Sequence, residues 1–373
     1  MASDLPAVMR AVLLTGHGSL DKLEYREDVP VPQPGPDAVL IRVGACGMNN
    51  TDINTRIGWY SPNVTGGTTE SGAGGLATID ADAAAWGGSS IGFPHIQGAD
   101  VVGHIAAVGA NVPAARVGER VTIDPWLRDP ADPDDLAKAR YFGSEVKGGF
   151  AEFCVAPDTN VHRIDSALSD AELATFPCSY STGENMLARV GLTRGETILI
   201  TGASGGVGSA LIQLAMRRGA TPIAVASAGK ADALRDLGAA AVIPRDAPDL
   251  EAALMPITGG APVDVAADVV GGDAFPDLLK IIRRGGRYVT AGAIAGPIVD
   301  LDLRILYLHD LALHGATVTA PQVFPNLVRY IEQGEVRPLL AQTFPLSELR
   351  AAQETFLAKA HVGNIVIDVA GGG

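Results

Sequence analysis

The sequence predicts an α/β fold in which a doubly wound parallel sheet is joined to a second, β-rich unit. Between residues 171 and 318, short apolar strands alternate with helical stretches, which predicts a parallel sheet with helices on both faces. Between residues 8 and 157, short β-type runs are separated by Pro and Gly, a pattern typical of an all-β unit. A chain of 373 residues with 47% hydrophobic content is long and apolar enough for two cores.

Changes of sequence texture near residues 165 and 332 predict the domain boundaries. Residues 1–164, completed by 333–373, are expected to form the β-rich domain, and residues 165–332 the parallel-sheet domain. Strands are predicted at 38–43, 103–108 and 119–123 in the first domain and at 198–201, 223–227, 241–243, 263–268, 287–291 and 312–318 in the second. The tail is expected to carry a helix at 346–360 and a strand at 363–368 that returns to the β-rich domain.

The most informative segment is 197–218, where a β-branched strand runs into a glycine-rich turn and then into an apolar helix. Ala203, Gly205 and Gly208 occupy the positions of a G-x-G-x-x-G fingerprint, which serve a tight turn, approach to a pyrophosphate, and helix packing. The start of the helix attracts phosphate through its free N–H groups. The predicted dinucleotide site comprises Ala203, Ser204, Gly205, Gly206, Val207 and Gly208. The alternative is a plain strand-turn-helix unit.

The end of the next strand predicts which dinucleotide binds. An enzyme that prefers NAD places Asp or Glu there to bind the ribose 2′-hydroxyl, and this chain has Ser227. Lys230 follows, and Arg245 ends the third strand, so the charges favour the 2′-phosphate of NADPH. The alternative is that both are ordinary surface cations. Asn364 in the tail is also assigned to the cofactor site.

Composition and charge exclude several classes of function. A net charge of −14 disfavours nucleic acid, whose phosphates would be repelled. Three cysteines are too few for a disulfide framework and suggest a reducing compartment. No apolar run approaches the roughly 20 residues that span a bilayer, and residues 1–10 lack the features of a signal peptide. We therefore expect a soluble, cytoplasmic protein that acts on a small molecule, without membrane or nucleic-acid partners.

Several segments together resemble one known family over almost the whole chain. They are VLIRVGACGMNNTD, GADVVGHIAAVG, VGERV, GGFAEFCVAP, TGASGGVG and RRGGRYVTAG. These segments resemble the medium-chain dehydrogenase/reductase superfamily. The resemblance implies a GroES-like domain that holds the substrate, a Rossmann domain that holds the nicotinamide cofactor, and a cleft between them where hydride transfer occurs.

The zinc positions implied by this resemblance are largely lost. Asn49 stands where the zinc alcohol dehydrogenases have their first Cys ligand, and Cys46 lies too early to replace it. Ala99 stands in place of the His ligand, and only Cys178 falls at the third position. A catalytic zinc normally needs three protein ligands, so we expect no metal.

A rebuilt zinc site is the alternative. His95, Asp100 and His104 could contribute to one, although their spacing predicts a loop followed by a strand. The structural zinc lobe is also missing, since residues 125–149 contain no Cys.

Asn49 matches the zinc-free quinone reductase branch of the superfamily. The run NNTDINTRIGWY is similar to that branch's N-x-x-D-x-x-x-R-x-G-x-Y pattern. The similarity implies that Asn49, Arg56 and Tyr60 lie near the nicotinamide and the substrate as catalytic residues. A Tyr of some quinone reductases is replaced by Asn54, so a proton-donor role is not carried over to that position.

The predicted function is metal-independent hydride transfer from NADPH to a conjugated carbonyl or a quinone. Asn49 is expected to donate to the developing oxyanion, with Tyr60 as a second donor or a stacking surface. The alternatives are a zinc-type alcohol dehydrogenase or ketone reductase, and a non-catalytic nucleotide-binding member of the family.

Two further features predict a lid and a homodimer. Residues 61–93 form an insertion rich in Gly, Ser, Thr and Ala, roughly 30 residues longer than a tight connection and expected to be an ordered lid. Trp59, Trp86 and Phe93 provide apolar anchors that linkers lack. The apolar strand at 311–318 is expected to pair across a twofold axis, because its edge would otherwise be exposed.

Overall fold

The computed structural model describes residues 5–371. Its strands are β1 (Val8–Leu14), β2 (Leu23–Pro30), β3 (Ala38–Gly47), β4 (Asp100–Val108), β5 (Arg120–Ile123), β6 (Trp126–Leu127), β7 (Arg140–Tyr141), β8 (Phe153–Pro157), β9 (Val161–Arg163), β10 (Thr197–Ile200), β11 (Thr221–Ala226), β12 (Ala241–Pro244), β13 (Val263–Asp268), β14 (Ile282–Thr290), β15 (Ala312–Gly315), β16 (Leu340–Pro345) and β17 (Asn364–Asp368).

The helices are α1 (Asn50–Ile57), α2 (Thr68–Ser71), α3 (Asp170–Leu173), α4 (Pro177–Arg189), α5 (Gly206–Arg217), α6 (Ala231–Leu237), α7 (Leu250–Thr258), α8 (Phe275–Lys280), α9 (Leu303–Leu308), α10 (Val323–Glu332) and α11 (Leu349–Leu357). Within residues 5–371, none of them has the length and apolarity needed to cross a bilayer.

The β-rich sheet is built around β3. Its strand order is β16-β17-β3-β4-β5-β9, and β8 also pairs with β3. The tail strand β17 is antiparallel to β3, with Ile367 opposite Cys46. Residues 364–368 therefore lie in the β-rich sheet rather than in the parallel one.

The second sheet is parallel, with strand order β12-β11-β10-β13-β14-β15. Residues 198–200 of its central strand β10 are fully buried, as expected for a parallel sheet covered by helices. Ile198 and Ile200 belong to the core that includes α4 and α5, whereas Leu199 belongs to the opposite core with α7 and α8. This alternation confirms the predicted doubly wound α/β fold.

Several element boundaries differ from those predicted. The strand expected at 312–318 ends at Gly315, and the helix expected at 346–360 is α11, which begins at Leu349. The sequence pattern also gave no sign of the short strands β6 and β7, which form a two-stranded sheet. Strands this short carry no readable periodicity, so only tertiary packing defines them.

Candidate active site

The fingerprint turn lies between β10 and α5. Gly202 has a φ of 56°, a left-handed conformation that favours glycine. A Cβ at Gly208 would overlap the carbonyl oxygen of Gly202 and the Cα of Ala203, so α5 packs directly on the turn. Ala203 is fully buried and does not line the cleft beside the turn. Ala203 therefore packs behind the turn instead of lining the cleft, and Gly202, one position earlier, is the left-handed turn residue.

A cleft of about 640 Å³ lies between the two sheets. Of the predicted cofactor residues, Ser204, Gly205, Gly206, Val207, Gly208, Ser227, Lys230, Arg245 and Asn364 line it. The predicted catalytic residues Asn49 and Tyr60 line the same cleft from the β-rich domain. Side chains that are far apart in sequence thus meet in one cavity.

The residues at the start of β17 pack against the glycine-rich turn. The N–H of Gly363 donates to the carbonyl oxygen of Ser204 at 2.9 Å. Asn364 Nδ2 donates to Ser179 Oγ at 2.9 Å, and a Cβ at Gly206 would overlap both of these side chains. Asn364 Oδ1 is buried without a partner among the described residues. It is an acceptor that a bound molecule can satisfy.

One end of the cleft is cationic. Lys230 Nζ donates to the carbonyl oxygens of Lys359 and His361, both at 2.7 Å, and to Ser204 Oγ at 3.3 Å. Lys359 Nζ donates to Asn50 Oδ1 at 3.0 Å. Burial, with a smaller contribution from the charge of Lys230, lowers the pKa of Lys359 to about 7. Lys230 therefore connects the parallel-sheet domain, here called the nucleotide domain, to the tail.

Only one of the described residues that line the cleft is an acid. Burial, the charge of Lys359 and that of Lys230 together lower the pKa of His361 to about 4. Arg245 also lines the cleft. Burial lowers the pKa of Lys230, and the nearby charge of Arg245 lowers it further. Among the described lining residues the one carboxylate is Asp268, which is held by Thr201 and Tyr288 at the end of β13.

Asn49 is held in one orientation by a buried carboxyl group. Its backbone N–H donates to Asp52 Oδ2 at 2.8 Å, where α1 begins. Its Nδ2 donates to Asp100 Oδ2 at 2.9 Å, and Asp100 Oδ1 accepts from the backbone N–H of Cys178 at 2.8 Å. Burial raises the pKa of Asp100 to about 8 and that of Asp52 to about 7. Asp100 therefore fixes the Asn49 carboxamide at the cleft wall.

The three positions implied for zinc lie near one another. Ala99 and Cys178 belong to one buried apolar cluster, and Cys178 is bonded through Asp100 to Asn49. Burial strongly raises the pKa of the Cys178 thiol, which disfavours the thiolate that a metal needs. Across residues 5–371, no group of three or more His, Cys, Asp or Glu side chains is arranged to hold a metal ion.

Tyr60 lies at the end of the α1 segment. Its hydroxyl lies beside the side chains of Asn54 and Thr51, and burial raises the pKa of Tyr60 to about 12. Asn54 Oδ1 also accepts from Thr68 Oγ1 at 2.9 Å. The Tyr60 hydroxyl therefore stays protonated at neutral pH and remains a hydrogen-bond donor.

Arg56 does not lie in the cleft, which corrects its prediction as a catalytic residue. The side chain is fully buried. Its guanidinium donates to Gln353 Oε1 at 2.8 Å, to the Gly18 carbonyl at 2.7 Å, and to the Gly72 carbonyl at 2.5 Å. Arg56 instead ties α1 to the insertion and to α11. A five-donor guanidinium suits such bridging of carbonyl groups.

The insertion crosses the cleft to the nucleotide domain. Thr69 N and Oγ1 donate to the Ile294 carbonyl at 3.4 and 3.3 Å. Trp59 Nε1 donates to the Gly66 carbonyl at 2.9 Å, and Trp86 lines the cleft. The insertion therefore contacts the parallel-sheet domain at Thr69.

Sequence reasoning missed several lining residues. They include Trp126, Tyr141, Asp268, Lys359 and His361. The first two lie on β6 and β7, within the segment singled out only for its lack of cysteine. Only the strong aromatic character of Trp126 and Tyr141 could have marked them, because nothing local shows that they face a cleft.

Comparisons with known proteins define the family. Residues 35–166 match the alcohol dehydrogenase GroES-like domain, and residues 206–333 match the zinc-binding dehydrogenase domain. A crystal structure of a candidate alcohol dehydrogenase from Sinorhizobium meliloti 1021 is 50% identical, has a TM-score of 0.88, and covers 98% of this chain and 97% of its own. The chain belongs to the medium-chain dehydrogenase/reductase superfamily, as its motifs predicted, and is an oxidoreductase of that class.

More distant relatives span several activities. Quinone oxidoreductase of Mus musculus is 27% identical over 94% of each chain. Acryloyl-coenzyme A reductase of Sulfurisphaera tokodaii is 25% identical over 96% of this chain and 99% of its own. The structure of crotonyl-CoA carboxylase/reductase AntE in complex with NADP is 25% identical, with a TM-score of 0.85 over 99% of this chain and 96% of its own.

Proposed function

We propose that this oxidoreductase transfers hydride from NADPH to a conjugated carbonyl compound or a quinone, without a metal ion. The observation that carries the proposal is the Asn49–Asp100 pair at the zinc position. Asp100 is fully buried and accepts one N–H of the Asn49 carboxamide. A carboxamide has two N–H bonds, so the second remains for an oxygen in the cleft.

The side chains present do not fit a catalytic zinc. Such a site takes three protein ligands. Ala99 has no donor atom, Asn49 is bonded to Asp100, and the pKa of the Cys178 thiol is raised by burial. His95 is buried, whereas His104 is exposed on β4, and neither joins a ligand group among the described residues.

The residues of this cleft suit reduction of a conjugated carbonyl. The nicotinamide cofactor supplies the hydride when bound. As the substrate oxygen gains charge, the remaining N–H of Asn49 donates to it, and the protonated Tyr60 hydroxyl is a second donor or a packing surface. Two neutral donors provide only modest electrophilic help, which is sufficient for hydride addition to carbon of an enone or quinone. Water supplies the proton.

The cationic end of the cleft supports NADPH as the nucleotide. Lys230, Arg245 and Lys359 line the cavity, and Ser227 leaves no carboxylate to repel a 2′-phosphate. The lowered pKa of Lys359 reflects burial and repulsion that an anion would relieve. The NADP complex of AntE, a relative of similar fold, agrees with this choice.

The relatives' names favour conjugated substrates but leave two alternatives. Quinone oxidoreductases, an acryloyl-coenzyme A reductase and a 2-methylene-furan-3-one reductase of Solanum lycopersicum are among them. Alcohol dehydrogenases are also present. A zinc-type alcohol dehydrogenase and a non-catalytic nucleotide-binding protein are therefore the functions to test against.

One experiment separates these functions. NADPH oxidation is followed with enones, quinones, aldehydes and simple ketones, before and after treatment with a chelator, and the zinc content is measured. We expect turnover of enones or quinones, well under one zinc per chain, and no loss of activity on chelation. Stoichiometric zinc whose removal abolishes turnover would establish the zinc-type enzyme. NADPH binding without oxidation of any substrate would establish the non-catalytic protein.

A homodimer is the second part of the proposal. Strand β15 lies at one edge of the parallel sheet. The segment before it in the chain carries exposed apolar residues, and no residue of α9 is buried. Ile298 is 70% exposed, and Leu303 and Tyr307 are each 63% exposed. An open strand edge beside such a surface supports pairing with a second copy of this chain.

A further inference from the structure

All three tryptophans of the chain line the cleft. The ring centroids of Trp86 and Trp126 are 4.6 Å apart with an interplanar angle of 69°. Those of Trp126 and Tyr141 are 4.7 Å apart at 65°. Trp86, Trp126 and Tyr141, here called the aromatic wall, are packed edge to face. This arrangement stabilises aromatic clusters.

The aromatic wall offers a ligand the half-buried ring of Trp86 and the hydroxyl group of Tyr141. Trp126 is 6% exposed and Tyr141 is 3% exposed, whereas Trp86 is only half-buried. The Tyr141 hydroxyl lies beside the Cys178 thiol and has no conventional hydrogen-bond partner among the described residues. A buried hydroxyl in this state is a donor that a carbonyl compound can satisfy.

The insertion holds Trp86 in the wall through Glu145. One carboxylate oxygen of Glu145 accepts from the backbone N–H of Gly87 at 2.7 Å. The other accepts from the backbone N–H of Tyr141 at 2.9 Å. A single carboxylate therefore joins the backbone beside Trp86 to the backbone of Tyr141. Without the insertion, the wall would lose Trp86.

The surroundings of the aromatic wall are apolar. Its packing neighbours in the buried cluster are Ala99, Ala139, Cys178 and Val318. The cations that line the cleft come from the ends of the nucleotide-domain strands and from the tail, where Lys230 binds the 359–361 segment. Among the described residues of this cluster, nothing compensates the charge of an anionic substrate.

We propose that the aromatic wall selects flat, uncharged, ring-bearing conjugated carbonyl compounds, and that the insertion creates this selectivity by supplying Trp86. The inference rests on the proposed function and names the substrate class of the same site. Glu145 is a positioning residue, because it acts through the backbone on both sides of the wall. A ring stacked on Trp86 gains dispersion and apolar burial that an acyclic enone lacks.

The test compares 4-phenylbut-3-en-2-one with but-3-en-2-one in the full-length protein with NADPH. We expect Trp86→Ala to lower kcat/KM for the phenyl enone by roughly tenfold, mainly through KM, and to change it less than twofold for butenone. Trp86→Phe should restore most of the loss. Asp82→Asn, an exposed position of the same insertion, is the control and should change neither value. Glu145→Gln should reduce the preference for the phenyl enone over butenone.

A binding measurement separates this inference from the proposed function. The saturated ketone 4-phenylbutan-2-one should quench tryptophan fluorescence of the wild-type protein, and Trp86→Ala should weaken its binding roughly tenfold. Equal losses for both enones in Trp86→Ala, or a preference for crotonyl-CoA over the phenyl enone, would overturn the inference while leaving the reductase intact. Absence of any NADPH oxidation, with quenching that still depends on Trp86, would reject the proposed function and keep the recognition surface.

Discussion

At the scale of single residues, the site depends on side chains whose pKa values are shifted by burial. Asn49 is neutral and is oriented by Asp100, whose pKa is raised to about 8. Lys359, which also lines the cleft, has a pKa lowered to about 7. Asn49 is therefore suited to donate to a developing oxyanion, and Lys359 to bind a phosphate.

The role of Asn49 can be tested with Asn49→Ser, which removes the carboxamide N–H groups and keeps a side-chain oxygen able to cap α1. We expect kcat to fall roughly tenfold to a hundredfold, with the Kd for NADPH unchanged, because the lost donor acts on the oxyanion. Steady-state kinetics and a fluorescence titration measure the two quantities. The matched control is Asn111→Ala, which breaks a similar carboxamide–carboxylate bond to Asp37 on the surface. An unchanged kcat in Asn49→Ser would contradict the proposed role.

Lys359 should make NADPH binding depend on pH. The free protein has a Lys359 pKa of about 7, and a bound anion raises it, so binding takes up a proton above pH 7. The affinity contributed by Lys359 is therefore full below pH 7 and falls as the pH rises, by at most about tenfold per pH unit. Titrations between pH 6 and 9 measure this.

Two controls isolate the contribution of Lys359 to this pH dependence. Lys359→Met should remove the decline of affinity above pH 7, whereas Lys280→Met, at an exposed ion pair, should not. Binding of NADPH that weakens with pH to the same extent in Lys359→Met would assign the titration to another group.

At the scale of elements, the strand ends determine how the nucleotide is recognised. β11 ends at Ala226, and Ser227 then precedes a short helical turn that ends at Lys230. The turn places Lys230 where it holds the tail segment 359–361. The end of β11 thus influences both the nucleotide site and the contact between the domains.

The predicted preference for NADPH depends on the residue that follows β11. We expect the wild-type protein to bind NADPH at least tenfold more tightly than NADH, a difference of about 1.4 kcal/mol or more. Ser227→Asp should abolish the preference by repelling the 2′-phosphate and binding the ribose hydroxyl of NADH. Ser227→Ala is the matched control and should retain the preference. Equal affinities of the wild-type protein in a fluorescence titration would reject the prediction.

Local sequence pattern predicted the strands and helices that have a clear hydrophobic period. The apolar run of β10 and the glycine-rich start of α5 were identified from sequence because both signals lie within one short segment. The two-residue strands β6 and β7, which carry Trp126 and Tyr141, have no period to detect. Their position is fixed by long-range packing, so this side of the cleft could not be predicted.

At the scale of the whole molecule, the cleft is formed by contacts between distant parts of the chain. The tail crosses back from the nucleotide domain, and β17 pairs with β3 of the β-rich sheet. The insertion also contacts the nucleotide domain through Thr69 and Ile294. The domain limits at 164 and 332 stay predictions, and limited proteolysis would be their direct measure.

Assembly is the prediction at this scale. We expect a homodimer at micromolar concentration, because an open β15 edge and the exposed side chains of α9 would otherwise face water. The double variant L303E/Y307E should sediment as a folded monomer, since two buried charges oppose association. Val117→Glu changes another exposed apolar residue, in the β-rich domain, and should remain a dimer. A monomeric wild-type protein would contradict the prediction.

The sequence by itself determined the fold class, the nucleotide turn and the loss of two zinc-ligand positions, because each depends on local spacing and residue type. Only the tertiary structure decided that Arg56 is a buried bridge, that Gly202 rather than Ala203 forms the left-handed turn, and that Lys230 holds the tail. It also brought Trp86, Trp126 and Tyr141 together. The physical reason is that burial, hydrogen-bond partners and pKa shifts arise from neighbours contributed by distant segments, which local sequence pattern does not encode.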